Sequence, residues 1–374
     1  MATRFLHTSD WQIGMKGSGL GRAGSRVAAQ RIETLERIFQ TARSRDVNLV
    51  LACGDLFERN EVDGDTVERV ATIIGRYADI AVHAIPGNHD VAGPGSVWNR
   101  DALRRLGNLH LCKRPEPVSL PGLVLHPFPV TSRYSGRDPL ADLPDLSGDA
   151  DIHVAMAHGH LTSVTFGAHE EEIRLPIDPR HVERSGLDYL ALGHWHGTRI
   201  ERTADGRARI AYSGTHEQTS YRETAAGNVL LVEIEAKGSE PRITPIRLGV
   251  LVWVSASFAF AEDLTLDRFL DTLRGIRADF LELEVSGELP VGLYAKWREV
   301  MEEVEERLSD LRIKDADLRW GHGEGSPSID ISDASLQKVL QRLQAEAAAA
   351  SGREQEVLRD VVSLLGRLIR ESVA

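Results

Sequence analysis

The chain has 374 residues, of which 42% are hydrophobic and 27% are charged. This composition is typical of a globular protein and excludes a disordered chain, and the length predicts two or three domains. The net charge of −12 argues against a broadly basic surface for nucleic acid, but residues 261–325 contribute −8 of it, with 17 acidic and 9 basic side chains. Most of the acidity therefore belongs to one segment.

The apolar segments and the cysteines bear on where the protein resides. Residues 1–4 lead directly into a strand-like stretch, which leaves no space for a signal peptide. The most apolar run, residues 249–260, is shorter than the roughly 20 residues that span a bilayer. Cys53 and Cys112 lack metal-binding spacing and are expected in the core. We therefore expect a cytoplasmic protein with no membrane association.

The first 90 residues alternate between strand-like and helix-like patterns. In chain order they predict a strand at 3–9, a glycine-rich loop at 14–25, a helix over 32–42, a strand at 47–53, a helix over 67–77 and a strand at 80–85. Such alternation predicts parallel strands and an α/β fold. Residues 19–24 match the dinucleotide-binding pattern GxGxxG, but no strand leads directly into them, so we favour a mobile rim of the site.

The middle of the chain predicts further strands. Two short ones between residues 108 and 130 are interpreted as the start of a second sheet, and residues 131–150 as a polar loop. Later strands are predicted at 151–157, 187–192, 208–213, 228–235 and 242–247. Because these are close together in sequence, we expect this half to be largely antiparallel.

The character of the chain changes near residue 250. Strand and helix patterns then follow in the order β-α-β-α-β, which predicts a small α+β domain, and residues 334–372 predict two helices with wide apolar faces. These helices either pack on the small domain or dock onto a partner, and we favour docking.

Five stretches place polar side chains directly after strand-like runs. They are "HTSDWQIG", "LACGDLFER", "IPGNHD", "VAMAHGH" and "LALGHWHG". In α/β proteins the carboxyl ends of strands are where sites form. A cluster of Asp, Asn and His without thiolates suits Mn²⁺, Fe²⁺ or Zn²⁺. Two such ions, about 3.5–4 Å apart, can clamp a phosphate and lower the pKa of bound water.

Together these stretches resemble the five signatures of calcineurin-like metallophosphoesterases, over roughly the first 220 residues. More narrowly, "LHTSDW" and "ALGHWH", with the acidic segment and apolar tail, resemble the SbcD-type DNA-repair exonucleases, including the YhaO-like branch. The resemblance implies a four-layer αββα sandwich. It assigns residues 1–250 to a nuclease domain, residues 251–325 to an α+β capping domain and residues 326–374 to a helical tail that docks onto an ATPase.

The resemblance also implies the roles of individual residues. The first metal ion would be held by Asp10, Gln12, Asp55 and His196, and the second by Asp55, Asn88, His158 and His194, with Asp55 as the bridge. His89 would contact the scissile phosphate or protonate the leaving oxygen, and Asp90 would orient it. His160 is the alternative to His158. Substrate contacts are expected from Ser213, Tyr221 and Arg222, although a plain turn or ordinary surface would explain them too.

One position departs from the pattern, since Gln12 stands where the family has histidine. An amide oxygen is a poorer ligand than imidazole, so we expect weaker binding of the first ion and reduced activity.

The sequence therefore predicts a phosphodiesterase with two divalent ions, Mn²⁺ first and Fe²⁺ or Zn²⁺ as alternatives, that cleaves DNA in repair. The expected partners are DNA, an SMC-like coiled-coil ATPase and, as in many relatives, a second copy of the chain. Two rival functions stay open. One is a phosphoesterase for small nucleotides or phosphoproteins, and the other is a scaffold with a decayed site at Gln12 that acts by binding the ATPase.

Overall fold

The protein is described by a computed structural model. It covers residues 2–15, 17–164, 175–260, 265–290, 293–321 and 334–350, with positions 355, 357–359, 361, 362 and 365. Contacts between backbone positions divide the chain into two compact units, residues 1–251 and 252–374. The roles assigned above to the cap and the tail stay predictions.

The first unit begins with strands that alternate with helices, as predicted. These elements are β1 (Thr3–Thr8), α1 (Gly24–Ser44), β2 (Leu49–Cys53), α2 (Gly64–Arg76), β3 (Ala81–Ile85), α3 (Asp101–Arg104) and β4 (Leu109–Leu111). The four strands pair in parallel in chain order. The glycine-rich segment is more regular than expected, because Ser18–Ala23 forms a 3-10 helix that leads into α1. A second short 3-10 helix, Val97–Asn99, precedes α3.

The second sheet follows in the chain. Its region contains β5 (Val118–Leu120), β6 (Leu123–Phe128), β7 (His153–His158), the short pair β8 (His160–Leu161) and β9 (Pro176–Ile177), α4 (Arg180–Ser185), β10 (Tyr189–Gly193), β11 (Arg199–Arg202) and β12 (Ala208–Tyr212). The sheet order is β11-β12-β10-β7-β6-β5.

Two expectations are wrong for the second sheet. The four inner strands β6, β7, β10 and β12 are parallel, and only the edge strands β5 and β11 pair antiparallel. The chain returns from β10 to β12 through the edge strand β11, so a parallel pair forms without a crossover helix. In addition, β4 is the edge of the first sheet and pairs with β3, so only β5 and β6 begin the second.

The strands β13 (Asn228–Ile234) and β14 (Arg242–Arg247) return to the first sheet. They extend it on the other side of β1 in the order β14-β13-β1-β2-β3-β4, with antiparallel pairing. The last two strands of the unit therefore lock its first strand into the middle of the sheet.

The layers follow from the alternation of side chains along the strands. In β1, Phe5 points to the core between the sheets and Leu6 to the core beneath the helices. In β10, Tyr189 points to the core between the sheets, whereas Leu190 packs under α4 and its neighbouring loops. Two sheets lie face to face with outer layers on both sides, which confirms the predicted α/β sandwich class.

The second unit has the predicted order of elements. These are β15 (Trp253–Phe260), α5 (Leu266–Gly275), β16 (Phe280–Pro290), α6 (Tyr294–Arg307) and β17 (Asp310–Gly321), followed by α7 (Ala334–Ala349). The three strands are parallel. Phe269 of α5 is fully buried and its ring stacks on that of Trp297 of α6, with centroids 5.3 Å apart. In the tail, Leu340 and Val362 are buried together.

Among the described helices, none is long and apolar enough to cross a membrane.

The end of α2 supplies a test of the fold. Asn108 is nearly buried, and its amide nitrogen lies 3.0–3.1 Å from the carbonyl oxygens of Ile74, Tyr77 and Ile80. Replacing Asn108 with Ala removes all three contacts, while the carbonyl oxygens of Ile74 and Tyr77 still accept from the N–H groups of Tyr77 and Ile80. We therefore expect the free energy of unfolding to fall by about 1–2 kcal/mol in urea titrations. The matched change Asn48→Ala, on an exposed residue, should stay within about 0.5 kcal/mol. Equal midpoints for the two variants would contradict this role.

Candidate metal centre

The site lies where strands of both sheets end. Asp10 follows β1, Asp55 follows β2, Asn88 follows β3, His158 closes β7 and His194 follows β10. Parallel strands bring their carboxyl ends to one edge, so residues far apart in sequence meet.

The backbone at these strand ends is strained. Four candidate ligands have left-handed backbone angles, with φ of 52° at Asp10, 42° at Gln12, 53° at Asp55 and 98° at His194. Non-glycine residues seldom adopt this conformation, and it is held only where the surroundings enforce it. These backbone angles occur where the chain turns after β1, β2 and β10.

The ligands expected for the second ion are in mutual contact. Nε2 of His158 lies 3.2 Å from Oδ2 of Asp55 and 3.0 Å from Oδ1 of Asn88. Nδ1 of His194 lies 3.2 Å from the same Asn88 oxygen. Ligand atoms of Asp55, His158 and His194 fall within 4.8 Å of one another. His158, rather than the alternative His160, therefore joins this group.

The residues expected for the first ion are also in contact with their surroundings. The Asp10 carboxylate accepts hydrogen bonds from the His194 backbone N–H at 3.1 Å and from the Ser9 hydroxyl at 2.5 Å. Nε2 of Gln12 lies 3.1 Å from Nε2 of His196. The amide nitrogen of Gln12, and not its oxygen, thus faces the ring nitrogen that would bind a metal.

Two glycines, Gly87 and Gly193, pack closely against the turns that carry the candidate ligands. A Cβ atom on Gly87 would lie 2.1 Å from Oδ1 of Asp55, and one on Gly193 would lie 1.9 Å from the carbonyl oxygen of Cys53. Both positions require glycine because the backbone there touches the ligand-bearing turns. Buried oxygen and nitrogen donors packed in this way fit a divalent ion.

The electrostatics of the cluster are dominated by burial and by carboxylate–imidazole pairs. Burial by itself would raise the pKa of Asp55, but the adjacent His158 ring lowers it to about 2. Burial likewise opposes a charged His158, and the carboxylates of Asp55 and Asp10 outweigh it and raise the pKa of that ring to about 9. Burial and the nearby His158 lower the pKa of His194 to about 3. Ionised Asp55 and neutral His194 are the forms in which these side chains bind cations.

The described side-chain contacts of Asp90 are with backbone N–H groups. Its carboxylate accepts hydrogen bonds from the backbone N–H groups of Gly87 at 2.7 Å, Leu56 at 2.9 Å and Phe57 at 3.3 Å. Among the described contacts, Nδ1 of His89 instead meets the carbonyl oxygen of Glu58 at 3.0 Å. Asp90 therefore ties the turn after β2 to the turn after β3, and the described contacts give no support to the expectation that it orients His89 directly.

The three expected substrate residues differ in their surroundings. Ser213 is fully buried, and its hydroxyl lies 2.8 Å from that of Ser9, next to the Asp10 turn. Tyr221 is half-buried and Arg222 exposed, on the segment next to Glu223. Their substrate role stays a prediction.

Two residues of the site were missed. Oε1 of Glu223 lies 2.6 Å from Nδ1 of His196, and no sequence signal marks it, since 27 positions separate the two. Arg31 is fully buried and donates to the carbonyl oxygens of Trp11 at 2.9 Å and Asp10 at 3.0 Å. Arg31 did have a signal, because it interrupts the apolar face of α1.

A pocket of about 300 Å³ adjoins the cluster. It is lined by Asn88, His89, Arg133, Tyr134, Leu175 and His194. Two candidate ligands of the second ion, Asn88 and His194, thus line the same cavity as His89.

Comparison with known families agrees with this geometry. Residues 3–198 match the family model described as Calcineurin-like phosphoesterase. The chain belongs to this family. Members of the calcineurin-like phosphoesterase family are hydrolases that use divalent metal ions, and the cluster around Asp55 is the candidate metal-binding group of this member.

Relatives within the calcineurin-like phosphoesterases are distant. The SbcD component of the nuclease SbcCD from Escherichia coli (strain K12) is 24% identical over 263 residues, covering 59% of this chain and 62% of the relative. The uncharacterized metallophosphoesterase YhaO of Bacillus subtilis (strain 168) is 23% identical over 243 residues, covering 62% of this chain and 57% of the relative. The chain therefore spans less than two thirds of the length of either.

Solved structures that resemble this phosphoesterase include two from other organisms. TT1561 of Thermus thermophilus has 12% identity and a TM-score of 0.41, covering 66% of this chain and 100% of that one. A dimetal phosphatase from Danio rerio has 12% identity and a TM-score of 0.37, covering 64% and 98%.

Glu223 provides a test of the metal centre. Its carboxylate fixes the His196 ring with Nδ1–H donating outward, which leaves the Nε2 lone pair facing the site. We expect Glu223→Ala to weaken Mn²⁺ binding about 10- to 100-fold in calorimetric titrations, as loss of such supporting contacts does elsewhere. Glu223→Gln, which can still accept the hydrogen bond, should recover most of the affinity. Unchanged binding in the Ala variant would show that the ring needs no support.

Proposed function

We propose that this phosphoesterase is a metal-dependent DNA nuclease, the catalytic subunit of a repair complex with an SMC-like coiled-coil ATPase. The observation that carries the proposal is the group of Asp55, Asn88, His158 and His194, two of which line one pocket together with His89. The likeness to the SbcD component of the nuclease SbcCD supports the choice of DNA over other phosphate esters.

The ligand set accounts for the chemistry of ester hydrolysis. Two divalent ions, Mn²⁺ in this proposal, would be held by the side chains on either side of Asp55, and would clamp the phosphate and make bound water acidic. Asp55 belongs to both groups of ligands and contacts His158 at 3.2 Å. Its backbone partner, the N–H of His89 at 2.8 Å, fixes the carboxylate in place.

His89 is the group suited to the leaving oxygen. Its Nδ1 must carry a hydrogen, because its neighbour at 3.0 Å, the carbonyl oxygen of Glu58, only accepts. In the protonated ring Nε2 is then a donor too, and the ring lines the pocket with its side chain 37% exposed. A donor there can neutralise the charge that develops on the departing oxygen.

The helical tail supports the proposed ATPase partner. Val339, Val357 and Val361 are 48%, 54% and 40% exposed, although each lies in a helical stretch with apolar neighbours. The proposal assigns these exposed apolar side chains to the docking surface. The acidic segment lies in the second unit and carries −8 of the net charge, which leaves −4 for the rest of the chain.

A second function, a scaffold with a weakened site, is favoured by one contact. The Gln12 amide hydrogen-bonds the His196 nitrogen that the first ion requires. In that case the protein would act chiefly by binding the ATPase.

His89 tests the nuclease directly. We expect the protein to cleave end-labelled DNA in Mn²⁺, and His89→Ala to lower kcat by about 10²- to 10⁴-fold, because the general acid is lost while all metal ligands remain. Bound manganese, measured on the same samples, should not change. His110→Ala, an exposed histidine on β4, is the matched control and should keep full activity.

Other substrates separate the nuclease from its rivals. Hydrolysis of cyclic nucleotides or phosphopeptides without any cleavage of DNA would contradict the nuclease and favour a small-substrate phosphoesterase. A protein inert towards all three that still binds a coiled-coil ATPase would favour the scaffold.

Gln12 tests how complete the centre is. We expect Gln12→His to raise manganese content towards two ions per chain and to increase cleavage, because imidazole replaces an amide that occupies His196. Elemental analysis after dialysis measures the content, with the exposed Gln40→His as the control for an added histidine. Two tightly held ions in the unmodified protein, with no gain from the substitution, would show that the Gln12 amide is an adequate ligand.

A further inference from the structure

The loop at residues 130–137 forms one wall of the pocket and is fixed to the catalytic turn. The Val130 N–H donates to the carbonyl oxygen of Pro86 at 3.1 Å, and Nε of Arg133 donates to that of Asn88 at 3.4 Å. The Leu175 N–H donates to the carbonyl oxygen of Ser135 at 2.9 Å. Three attachments, two of them to the turn that carries Asn88, hold the loop at the edge of the site.

Tyr134 stands out on this loop. It is 60% exposed, the largest exposure among the large apolar side chains of the described residues. An aromatic ring kept in water beside a catalytic cavity retains apolar surface that a bound ligand would cover. The ring also has a flat face on which a planar group can stack.

Arg133 adds charge at the same edge. Its side chain is exposed, and its hydrogen bond to Asn88 uses Nε, which leaves the two terminal guanidinium nitrogens out of that bond. A guanidinium binds phosphate oxygens through two parallel N–H groups. One aromatic ring and one cation, on adjacent residues, match the two parts of a nucleotide.

We propose that Tyr134 and Arg133 form a nucleotide subsite that stacks one unpaired base and binds its phosphate next to the scissile bond. The inference rests on the proposed function and deepens it, because it names the substrate class as single-stranded DNA or a frayed end. A pocket of about 300 Å³ is at the lower limit for small-molecule sites, a size that can take one base. A base in an intact duplex already stacks on both faces and has none for Tyr134.

Abasic scanning tests the subsite. Short single-stranded oligonucleotides carry one abasic position, which is moved stepwise through the labelled end, and kcat/KM is measured for each in Mn²⁺. We expect one position at which loss of the base lowers kcat/KM about 5- to 100-fold in the unmodified protein. In Tyr134→Ala that position should lose its effect, whereas Tyr134→Trp, which keeps an aromatic face, should retain it. An abasic effect of equal size in Tyr134→Ala would overturn the assignment.

Arg133 and strand pairing provide independent readouts. Arg133→Ala should reduce the salt dependence of binding, whereas Arg105→Ala, an exposed arginine on the surface near α3, should not. An end locked by a covalent cross-link between its paired bases should be cleaved more slowly than a frayed end. Equal rates on locked and frayed ends would contradict the need for an unpaired base.

Binding without cleavage separates this inference from the nuclease itself. The same oligonucleotides are titrated in EDTA by fluorescence anisotropy. A base-specific loss of affinity that depends on Tyr134, in a protein that cleaves no DNA, would uphold the subsite and overturn the nuclease. Cleavage of DNA without any base-specific loss of affinity would uphold the nuclease and overturn the subsite. A protein that neither binds nor cleaves would overturn both.

Discussion

The burial of two carboxylates is the constraint on which this structure depends. Asp10 is fully buried and Asp55 is 2% exposed, and an ionised carboxylate without water is unstable unless donors or cations surround it. Backbone N–H groups of His194 and His89 supply part of that stabilisation, and the His158 ring supplies more. These donors come from both sheets, so the site forms only when the sheets have packed. Formation of the metal centre therefore depends on folding of the whole two-sheet unit.

The guanidinium of Arg31 is a buried cation that also holds the Asp10 turn in place. The fully buried Arg31 bonds the carbonyl oxygens of Asp10 and Trp11 and the hydroxyl of Thr215 at 3.0 Å. Its neighbour Glu217 accepts from the backbone N–H of Val250 at 3.1 Å, which ties the end of the first unit to the same network. A charge removed from water in this way stabilises only as part of a satisfied network. Helix α1 therefore fixes the Asp10 turn as well as covering the sheet.

The sequence predicted those features that depend on local pattern. Apolar runs followed by Asp, Asn or His located the strand ends, and hence the residues that meet around Asp55. The direction of strand pairing was not predicted where tertiary contacts decide it. For example, β10 and β12 pair in parallel although only the edge strand β11 connects them. The contacts of Asp90 escaped for a related reason, because its partners are backbone N–H groups, which no side-chain pattern reveals. Glu223 was missed because its partner His196 is near it only in space.

The contact between Gln12 and His196 is too weak to decide the function by itself. A neutral hydrogen bond contributes a net of about 1 kcal/mol, which corresponds to roughly a fivefold change in affinity. Rotation of the amide by half a turn would also present its oxygen to an ion and free the ring nitrogen at once. A decayed centre thus requires more than this hydrogen bond, namely the poorer donor strength of an amide compared with imidazole. In the proposed centre, Gln12 would then be the one weakened ligand beside Asp10, Asp55 and His196.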